Sequence, residues 1–301
     1  MAAPTTLPSK AHPQAGQLTA HVHAYLDTVY PFSTQEAKDA FHKQDLPRFT
    51  ALLYPESLLE PLKSAALFTA LTAILDDAFG QMSIADSRRI GARLLGIMKG
   101  STTADESVPV ERILDKAISD MNSQSLELAK DVLSGAITLF LAQTDKKRLE
   151  ITGLDEYFEF RYQDIGGDFF TALSRFANNI VVSEDEKVKF KGLEKITIRH
   201  VAIANDILSW EKELKEANEG NEEGAVLCSV VPILARNLGV GFEGAKRVLW
   251  VAARELEGEM ERVVTELGPL SEEGKRYVRA LKYLASGNEE WCRTTSRYQI
   301  E

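Results

Sequence analysis

The chain has 301 residues, of which 44% are apolar and 27% are charged, so it can bury a substantial core and is not an intrinsically disordered protein. Its net charge is -10 and it has no block of lysine and arginine, which argues against a nucleic-acid partner or an acidic membrane surface. No stretch approaches the roughly 18 uninterrupted apolar residues of a membrane span, so we expect no membrane segment.

The N-terminal residues MAAPTTLPSKAHPQAG lack an apolar core, and we interpret them as neither a signal peptide nor an anchor. With three prolines in its first dozen or so residues, the segment 1–14 is predicted to be a flexible arm, followed by one domain over 15–301. Two cysteines, Cys228 and Cys292, make neither a disulfide framework nor a metal-binding spacing. We therefore expect a reduced, cytoplasmic protein.

The apolar residues recur with a helical period along nearly the whole chain. Residues 58–80 predict a long buried helix that ends at Gly80, where a glycine C-cap fits. Residues 121–149 predict a second long helix. Residues 186–220 predict a third, which a polar, glycine-rich turn at 218–224 closes.

Residues 224–239, 242–267 and 271–287 predict three more helices, while IVV at 180–182 is too short a β-branched run to indicate a strand of consequence. These patterns predict a single all-α domain. Several helices are apolar on more than one side and so are expected inside the bundle, where such folds place ligand and metal sites.

An acidic pair, Asp76 and Asp77, stands in the last turns of the first long apolar helix. Both burial and the negative end of the helix dipole disfavour carboxylates there. Either the helix end emerges into water and the pair is solvated, or a divalent cation such as magnesium binds it through oxygen ligands.

The segment NDILSWEKE places Asn205, Ser209 and Glu213 at intervals of four, with Lys212 beside them. On a helix these three positions share an arc of about 80°, and the short central hydroxyl leaves room for a metal between the outer two. A polar stripe is usually a solvated helix face. The apolar residues on both sides of this stripe, and the acidic pair on another helix, favour an oxygen-ligand magnesium site instead.

Seven stretches in a fixed order carry a family resemblance. They are DD at 76–77, AQTDKKRL at 142–149, EFRYQDIGG at 159–167, NDILSWEKEL at 205–214, NEEGAVLCSVVPILA at 221–235, AKRVLW at 245–250 and SGNEEWCRTTSRY at 286–298. From about His12 to Tyr298 the chain resembles a class I terpene synthase, of the type of the fungal sesquiterpene cyclases that make aristolochene. The second motif together with the terminal Arg-Tyr is the specific part of this likeness.

The resemblance implies a helical bundle around a deep apolar cavity, whose mouth is closed by three magnesium ions and the diphosphate of a linear isoprenoid. It implies that Asp76 is the metal ligand of the first motif. It also implies that Asn205, Ser209 and Glu213 hold another magnesium ion.

The same resemblance implies that Arg161 senses the diphosphate, with Asp164 as its linker. Three further donors to the diphosphate are implied, and one aromatic residue is expected to face the reacting carbocation. The donors are Lys212, Arg297 and Tyr298, and the aromatic residue is Trp291. Because they stand close to the end of the chain, Arg297 and Tyr298 are expected to belong to a lid.

The implied activity is a magnesium-dependent sesquiterpene synthase. It would ionise farnesyl diphosphate, cyclise the carbocation to a hydrocarbon or an alcohol and release diphosphate. Metal ions and Arg or Lys donors stabilise the charge on such a leaving group, and a closed apolar cavity protects the cation from water. The resemblance also implies a homodimer.

The sequence departs from the family at two places. The first motif is usually DDxx(D/E), but Gly80 occupies the position of its third acid. Leu53, Ala73 and Leu139 stand where aromatic cavity residues are expected, so we predict another cavity shape and a product other than aristolochene.

Two alternatives remain open. An isoprenyl chain-elongating enzyme of the same fold would carry two DDxxD motifs, whereas one DD pair stands on a suitable helix here. A catalytically weakened helical binding protein would have no physical need for the second motif, Arg161 or the terminal Arg-Tyr.

Overall fold

The structure is a computed structural model that describes residues 4–145, 147, 150–219 and 227–299. Its helices, in chain order, are α1 (Ala15–Val29), α2 (Gln35–Lys43), α3 (Leu46–Leu53), α4 (Leu59–Phe79), α5 (Ile84–Met98), α6 (Pro109–Gln124), α7 (Leu126–Gln143), α8 (Leu154–Asp164), α9 (Gly167–Ala177), α10 (Glu184–Glu219), α11 (Val230–Leu238), α12 (Phe242–Glu266) and α13 (Glu272–Thr294). A short 3₁₀ turn, Ser296–Tyr298, follows α13. The described residues form no strand, and IVV at 180–182 is no exception. The predicted all-α fold is confirmed.

Two of the predicted long helices are present nearly as expected. In α4 the buried residues lie on all sides, as the unbroken apolar run predicts. The 36 residues of α10 form one uninterrupted helix, and three acidic residues in its first turn complement the positive end of the helix dipole. The glycine-rich turn predicted at 218–224 lies mostly outside the described residues.

Three details of the predicted helices are wrong. In the described part of the helix expected over 224–239, the helix begins only at Val230. The helix expected over 121–149 is broken at Ser125, whose extended backbone (φ -159°) ends α6 and whose hydroxyl accepts a hydrogen bond from the Leu128 amide to begin α7. Ser is a preferred N-cap residue because it satisfies an otherwise unpaired amide, and this local signal overrides the apolar period. Gly80 does end α4, but with φ -62°, so the left-handed geometry of a glycine C-cap is absent.

The long helix α10 is the centre of the bundle and packs against both α12 and α13. Helix α13 also packs closely against α3: a Cβ atom added at Gly287 would lie 2.4 Å from the Leu52 carbonyl oxygen, so glycine is required for this approach. One large hydrophobic core includes residues of α1, α3, α4, α7, α9 and α13, and a second lies beneath α11 and α12. Together these contacts hold the ends of α4, α10 and α13 around a common space.

The residues before α1 lie against the bundle. Leu7 is 7% exposed and His12 is 5% exposed, and the hydroxyl group of Thr5 donates to Glu257 Oε1 on α12 at 2.8 Å. The His12 main-chain amide donates to the Ala51 carbonyl on α3 at 2.9 Å. The division of the chain into an arm at 1–14 and one domain over 15–301 stays a prediction.

Among the helices that the structure describes, none combines the length and the apolar character needed to cross a lipid bilayer.

Candidate active site

A cavity of about 640 Å³ is enclosed by α3, α4, α7–α10, α13 and the terminal 3₁₀ turn. Its apolar lining consists of Leu46, Phe49, Leu53, Ala73, Leu139, Ile165, Phe170, Ile198, Val201, Leu284 and Trp291, among others. Leu53, Ala73 and Leu139, which stand where the family resemblance leads us to expect aromatic residues, are part of this lining. The predicted site residues that line the cavity are Asp76, Arg161, Asp164, Asn205, Lys212, Glu213, Trp291, Arg297 and Tyr298. The remaining one, Ser209, is buried, does not line the cavity and donates a hydrogen bond to Glu213.

The acidic pair lies at the mouth of this cavity. Asp76 has 57% of its side chain exposed, whereas 35% of Asp77 is exposed. The guanidinium group of Arg297 donates to both carboxylate oxygens of Asp77 at 2.7 Å and to Asp76 at 3.3 Å. Lys212 Nζ lies 3.8 Å from Asp77. The positive charge that the pair requires is therefore supplied in part by Arg297 and Lys212.

Asn205, Lys212 and Glu213 of the predicted stripe line the cavity, while Ser209 is buried between Asn205 and Glu213. Ser209 Oγ is 2.6 Å from Glu213 Oε1 and 2.8 Å from the main-chain oxygen of Asn205. Burial, reinforced by the nearby charge of Asp206, raises the pKa of Glu213 to about 7 although Arg161 opposes the shift. Glu213 is thus a carboxyl group that has too little nearby positive charge to ionise as readily as it does in water.

These residues fit a divalent cation. Asn205 offers an amide oxygen, Ser209 a hydroxyl oxygen and Glu213 a carboxylate oxygen, and such an all-oxygen set suits Mg²⁺. The oxygens of Ser209 and Glu213 already adjoin, and a cation would lower the raised pKa of Glu213. Asn205 Oδ1 accepts one hydrogen bond from Arg161 at 2.8 Å, which leaves the second lone pair of that oxygen free.

Arg161 joins α8 to this stripe. Its guanidinium group donates to Asp164 Oδ2 at 2.6 Å, to Asn205 Oδ1 at 2.8 Å and to Asp206 Oδ1 at 2.9 Å. These three acceptors, two carboxylates and one amide, fix the plane of the guanidinium group. Arg161 therefore has a fixed orientation where it lines the cavity. Sequence reasoning missed Asp206, which is the most deeply buried of these partners.

Asp206 accepts hydrogen bonds from three residues on two helices, α8 and α11. Besides Arg161, it accepts hydrogen bonds from the hydroxyl group of Tyr157 on α8 and, at 2.8 Å, from the Val230 amide at the start of α11. Tyr157 thereby orients the carboxylate that orients Arg161. The signal in the sequence was the position of Asp206 next to Asn205, in an otherwise apolar stretch of α10.

Aromatic rings form one wall of the cavity. The Trp291 ring lies 4.6 Å from that of Phe49 and 5.6 Å from that of Tyr298. Its indole nitrogen donates to the main-chain oxygen of Gln44 at 3.1 Å, which turns the polar edge away from the hydrocarbon space. The Tyr298 hydroxyl oxygen accepts a hydrogen bond from Asn205 Nδ2 at 2.9 Å. Phe49 was missed because nothing in its local sequence distinguishes it from a core residue.

A second cluster of metal-type ligands lies elsewhere. His200, Glu257 and Glu289 are all buried, with ligand atoms within 4.8 Å of one another. Arg254 pairs with both carboxylates, at 2.8 Å from Glu257 Oε1 and in a closer contact with Glu289. Arg293 also donates to Glu289, at 2.8 Å. Because two arginines balance the charge of the two carboxylates, the cluster is an ion-pair network rather than a metal site.

Two of the seven stretches that carry the family resemblance are described only in part. Residues 146 and 148–149 of AQTDKKRL, and residues 221–226 of NEEGAVLCSVVPILA, lie outside the described residues.

Comparisons with known proteins agree with this arrangement. The family model described as "Terpene synthase family 2, C-terminal metal binding" matches residues 67–258. An aristolochene synthase from Penicillium roqueforti is 34% identical over 299 residues, which cover 98% of this chain and 87% of that protein. One from Aspergillus terreus is 32% identical over 303 residues, which cover 99% of this chain and 94% of the other. The crystal structure of aristolochene synthase from Penicillium roqueforti matches with a TM-score of 0.86 at 31% identity, over 98% of this chain and 100% of that one.

Proposed function

The chain belongs to terpene synthase family 2, and on that premise we propose that it is a magnesium-dependent sesquiterpene synthase. Its substrate is farnesyl diphosphate, which it ionises and cyclises to a hydrocarbon or an alcohol with release of diphosphate. The supporting observation is that oxygen ligands and cationic donors converge at one end of an apolar cavity. The family resemblance inferred from the sequence motifs is confirmed by the family model and by relatives of similar length.

The diphosphate group binds among the cationic side chains at the mouth. Arg161, Lys212 and Arg297 each line the cavity and each also contacts a carboxylate. Arginine offers a planar fork of donors and lysine a compact point charge, so together they can bind several phosphate oxygens. Tyr298 adds a neutral hydroxyl donor, since burial raises the pKa of its phenol well above its ordinary value.

Asp76 holds magnesium at the first motif, and Asn205, Ser209 and Glu213 hold magnesium at the second. Bound Mg²⁺ supplies positive charge to the diphosphate leaving group, which lets a protein of net charge -10 accept so anionic a substrate. The three ions implied by the family are part of this proposal.

Ionisation breaks the bond between the allylic carbon and the diphosphate oxygen, and the electron pair leaves with the diphosphate. Arg161 and its partners keep the leaving group at the mouth, while the hydrocarbon chain lies along the apolar wall. The faces of Trp291 and Phe49 can stabilise the resulting cation without adding to it. The reaction ends when the cation loses a proton to the diphosphate, or when a water molecule adds to the cation and the adduct gives up a proton to the diphosphate.

The test is product analysis by gas chromatography and mass spectrometry with farnesyl diphosphate and Mg²⁺. We expect a sesquiterpene from the wild-type protein and a loss of at least about 100-fold in rate for Asn205→Ala or Glu213→Ala. The matched control is Glu211→Ala, since Glu211 lies on the same helix, is 56% exposed and pairs with Lys246 on the surface.

Full activity in EDTA would contradict the proposal. Parallel reactions with geranyl and geranylgeranyl diphosphates define the substrate length. Chain-lengthened diphosphates formed from isopentenyl diphosphate and an allylic partner would instead identify a chain-elongating enzyme.

We further propose a homodimer that acts on a small molecule in the cytoplasm and binds no nucleic acid. The acidic net charge of -10 supports the last point, and the dimer rests on the family resemblance. Light scattering coupled to gel filtration measures the oligomeric state directly.

A further inference from the structure

Thr69 on α4 has a hydroxyl group without a partner. The residue is 2% exposed and lines the cavity, and among the described residues its Oγ1 atom neither donates nor accepts a hydrogen bond. A buried hydroxyl group without a partner is costly, so native proteins keep few of them. Its retention beside the cavity therefore needs an explanation.

Other buried helical threonines of this protein are satisfied. Thr171 and Thr197 donate to the carbonyl oxygens four residues earlier, at 2.9 and 2.8 Å. Thr72, which lines the same cavity, donates to the Thr69 carbonyl at 2.8 Å. The Ser174 hydroxyl also has no partner, but Ser174 does not line the cavity. Thr69 alone among these five combines an uncommitted hydroxyl group with a place in the cavity wall.

The position of Thr69 relative to the mouth is set by the helix. It stands seven residues before Asp76 on the same cavity-lining side of α4, a rise of about 10 Å. Ala73, one turn nearer the mouth, contributes a single methyl group, so no bulky side chain on α4 separates Thr69 from the space above it. An isoprenoid chain whose diphosphate is held at Asp76 extends past this depth.

We propose that Thr69 is a specificity-determining residue, whose hydroxyl dipole stabilises positive charge on the central part of the isoprenoid chain. This inference rests on the proposed function and adds to it the residue that biases the choice between competing carbocations. Because the Thr69 hydroxyl group has no partner, it can rotate so that its oxygen faces the positive charge, and in an apolar, low-dielectric cavity such a dipole has a larger effect than in water. Because the oxygen atom itself is buried beneath the cavity surface, it acts through its field and forms no bond with the cation.

The experiment compares three variants by product analysis with farnesyl diphosphate and Mg²⁺. Thr69→Val keeps the shape of the side chain and removes the hydroxyl group, while Thr69→Ser keeps the hydroxyl group. Thr72→Val is the matched control, because it makes the same change three residues away, in the same cavity, to a hydroxyl group that already has a partner.

We expect Thr69→Val to change the ratio of the main products by about tenfold, with kcat/KM for substrate consumption within roughly threefold of the wild type. Thr69→Ser retains the wild-type product ratio, and Thr72→Val changes it much less than Thr69→Val. The melting temperature of Thr69→Val is equal to or above that of the wild type, because an unsatisfied hydroxyl group is replaced by an apolar isostere.

An unchanged product ratio in Thr69→Val, or an equal change in Thr72→Val, would overturn the inference while the proposed function stands. Failure of the wild-type protein to convert farnesyl diphosphate would contradict the proposed function itself, and this inference with it.

Discussion

At the level of single residues, each cationic side chain at the cavity mouth also binds a carboxylate. Arg297 pairs with Asp77 through two hydrogen bonds of 2.7 Å, and Arg161 pairs with Asp164 and Asp206. Such forked pairs fix the guanidinium plane before a further anion is contacted. A diphosphate bound as proposed would meet oriented donors, and part of its binding energy would be spent on displacing Asp77 from Arg297.

Gly80 occupies the position of the third acid of the first motif, and the structure has room for an acidic side chain there. A Cβ atom added there would meet nothing closer than the Asp76 carbonyl oxygen at 3.5 Å, and φ of -62° is allowed for any residue. We expect Gly80→Asp to lower the Mg²⁺ concentration for half-maximal rate by about tenfold, since it adds an oxygen ligand beside Asp76. Magnesium titrations of the initial rate measure this change.

Gly80→Ala is the control for that experiment, because it adds the Cβ atom without the acid. It should raise stability by about 0.4–1 kcal/mol and leave the magnesium dependence unaltered. An identical magnesium dependence in Gly80→Asp and Gly80→Ala would show that position 80 contributes no ligand.

At the level of secondary-structure elements, α10 determines most of the site. One helix of 36 residues carries Asn205, Ser209, Lys212 and Glu213, and its packing against α12 and α13 fixes which face meets the cavity. The intervals of four were readable from the sequence, and the helix geometry then follows. The sequence favoured a buried face over a solvated one, but the contacts of that face depend on the neighbouring helices and were not predictable.

Ser125 sets the boundary between α6 and α7, and its capping role can be tested by mutation. It separates α6 from α7 and accepts a hydrogen bond from the Leu128 amide at 3.4 Å. Ser125→Ala should lower the free energy of unfolding by about 1 kcal/mol, because it leaves that amide without its cap. Urea unfolding measures the loss, and Ser125→Asp, which keeps a capping oxygen, should stay close to the wild type. Equal losses in both variants would contradict a capping role.

At the level of the whole molecule, the buried cluster of His200, Glu257 and Glu289 connects distant parts of the chain. Glu257 on α12 contacts His200 on α10 at 3.2 Å, the Thr6 amide of the N-terminal segment at 2.9 Å, and Arg254 at 2.8 Å. Glu289, two residues before Trp291, completes the cluster on α13. None of the residues in this network lines the cavity, yet the network links the helix that carries Asn205 with the helix that carries Trp291.

The same network predicts a dependence of stability on pH. Burial alone would raise the pKa of Glu257, but hydrogen bonds from His200, Thr6 and Thr5 outweigh it and lower this pKa to about 2. A carboxyl group whose pKa falls on folding stabilises the protein above its unfolded pKa of about 4.5 and loses that contribution as the pH falls toward 2. Glu257→Gln should therefore be less stable than the wild type by about 1–3 kcal/mol at pH 7, with the difference shrinking below pH 4.5.

Denaturant unfolding between pH 7 and pH 2.5 measures this difference. Glu259→Gln is the control, since Glu259 lies on the same helix, is 41% exposed and should change stability by less than about 0.5 kcal/mol. A stability difference for Glu257→Gln that stays constant over the whole pH range would refute the assignment.

The sequence by itself determined the helical class, the course of α4 and α10, and the family, because a helical apolar period and ordered motifs are local properties of the chain. It also named Asp76, Asn205, Arg161 and Arg297 as residues of one site, through the family resemblance.

Tertiary structure alone decided what those residues contact. Arg297 pairs with Asp77, and Arg161 is held by Asp206, although the partners are far apart in the chain. The Thr69 hydroxyl has no partner because of the way the residues around it pack. Such contacts depend on how helices pack against one another, and a periodic pattern along one helix carries no information about its neighbours.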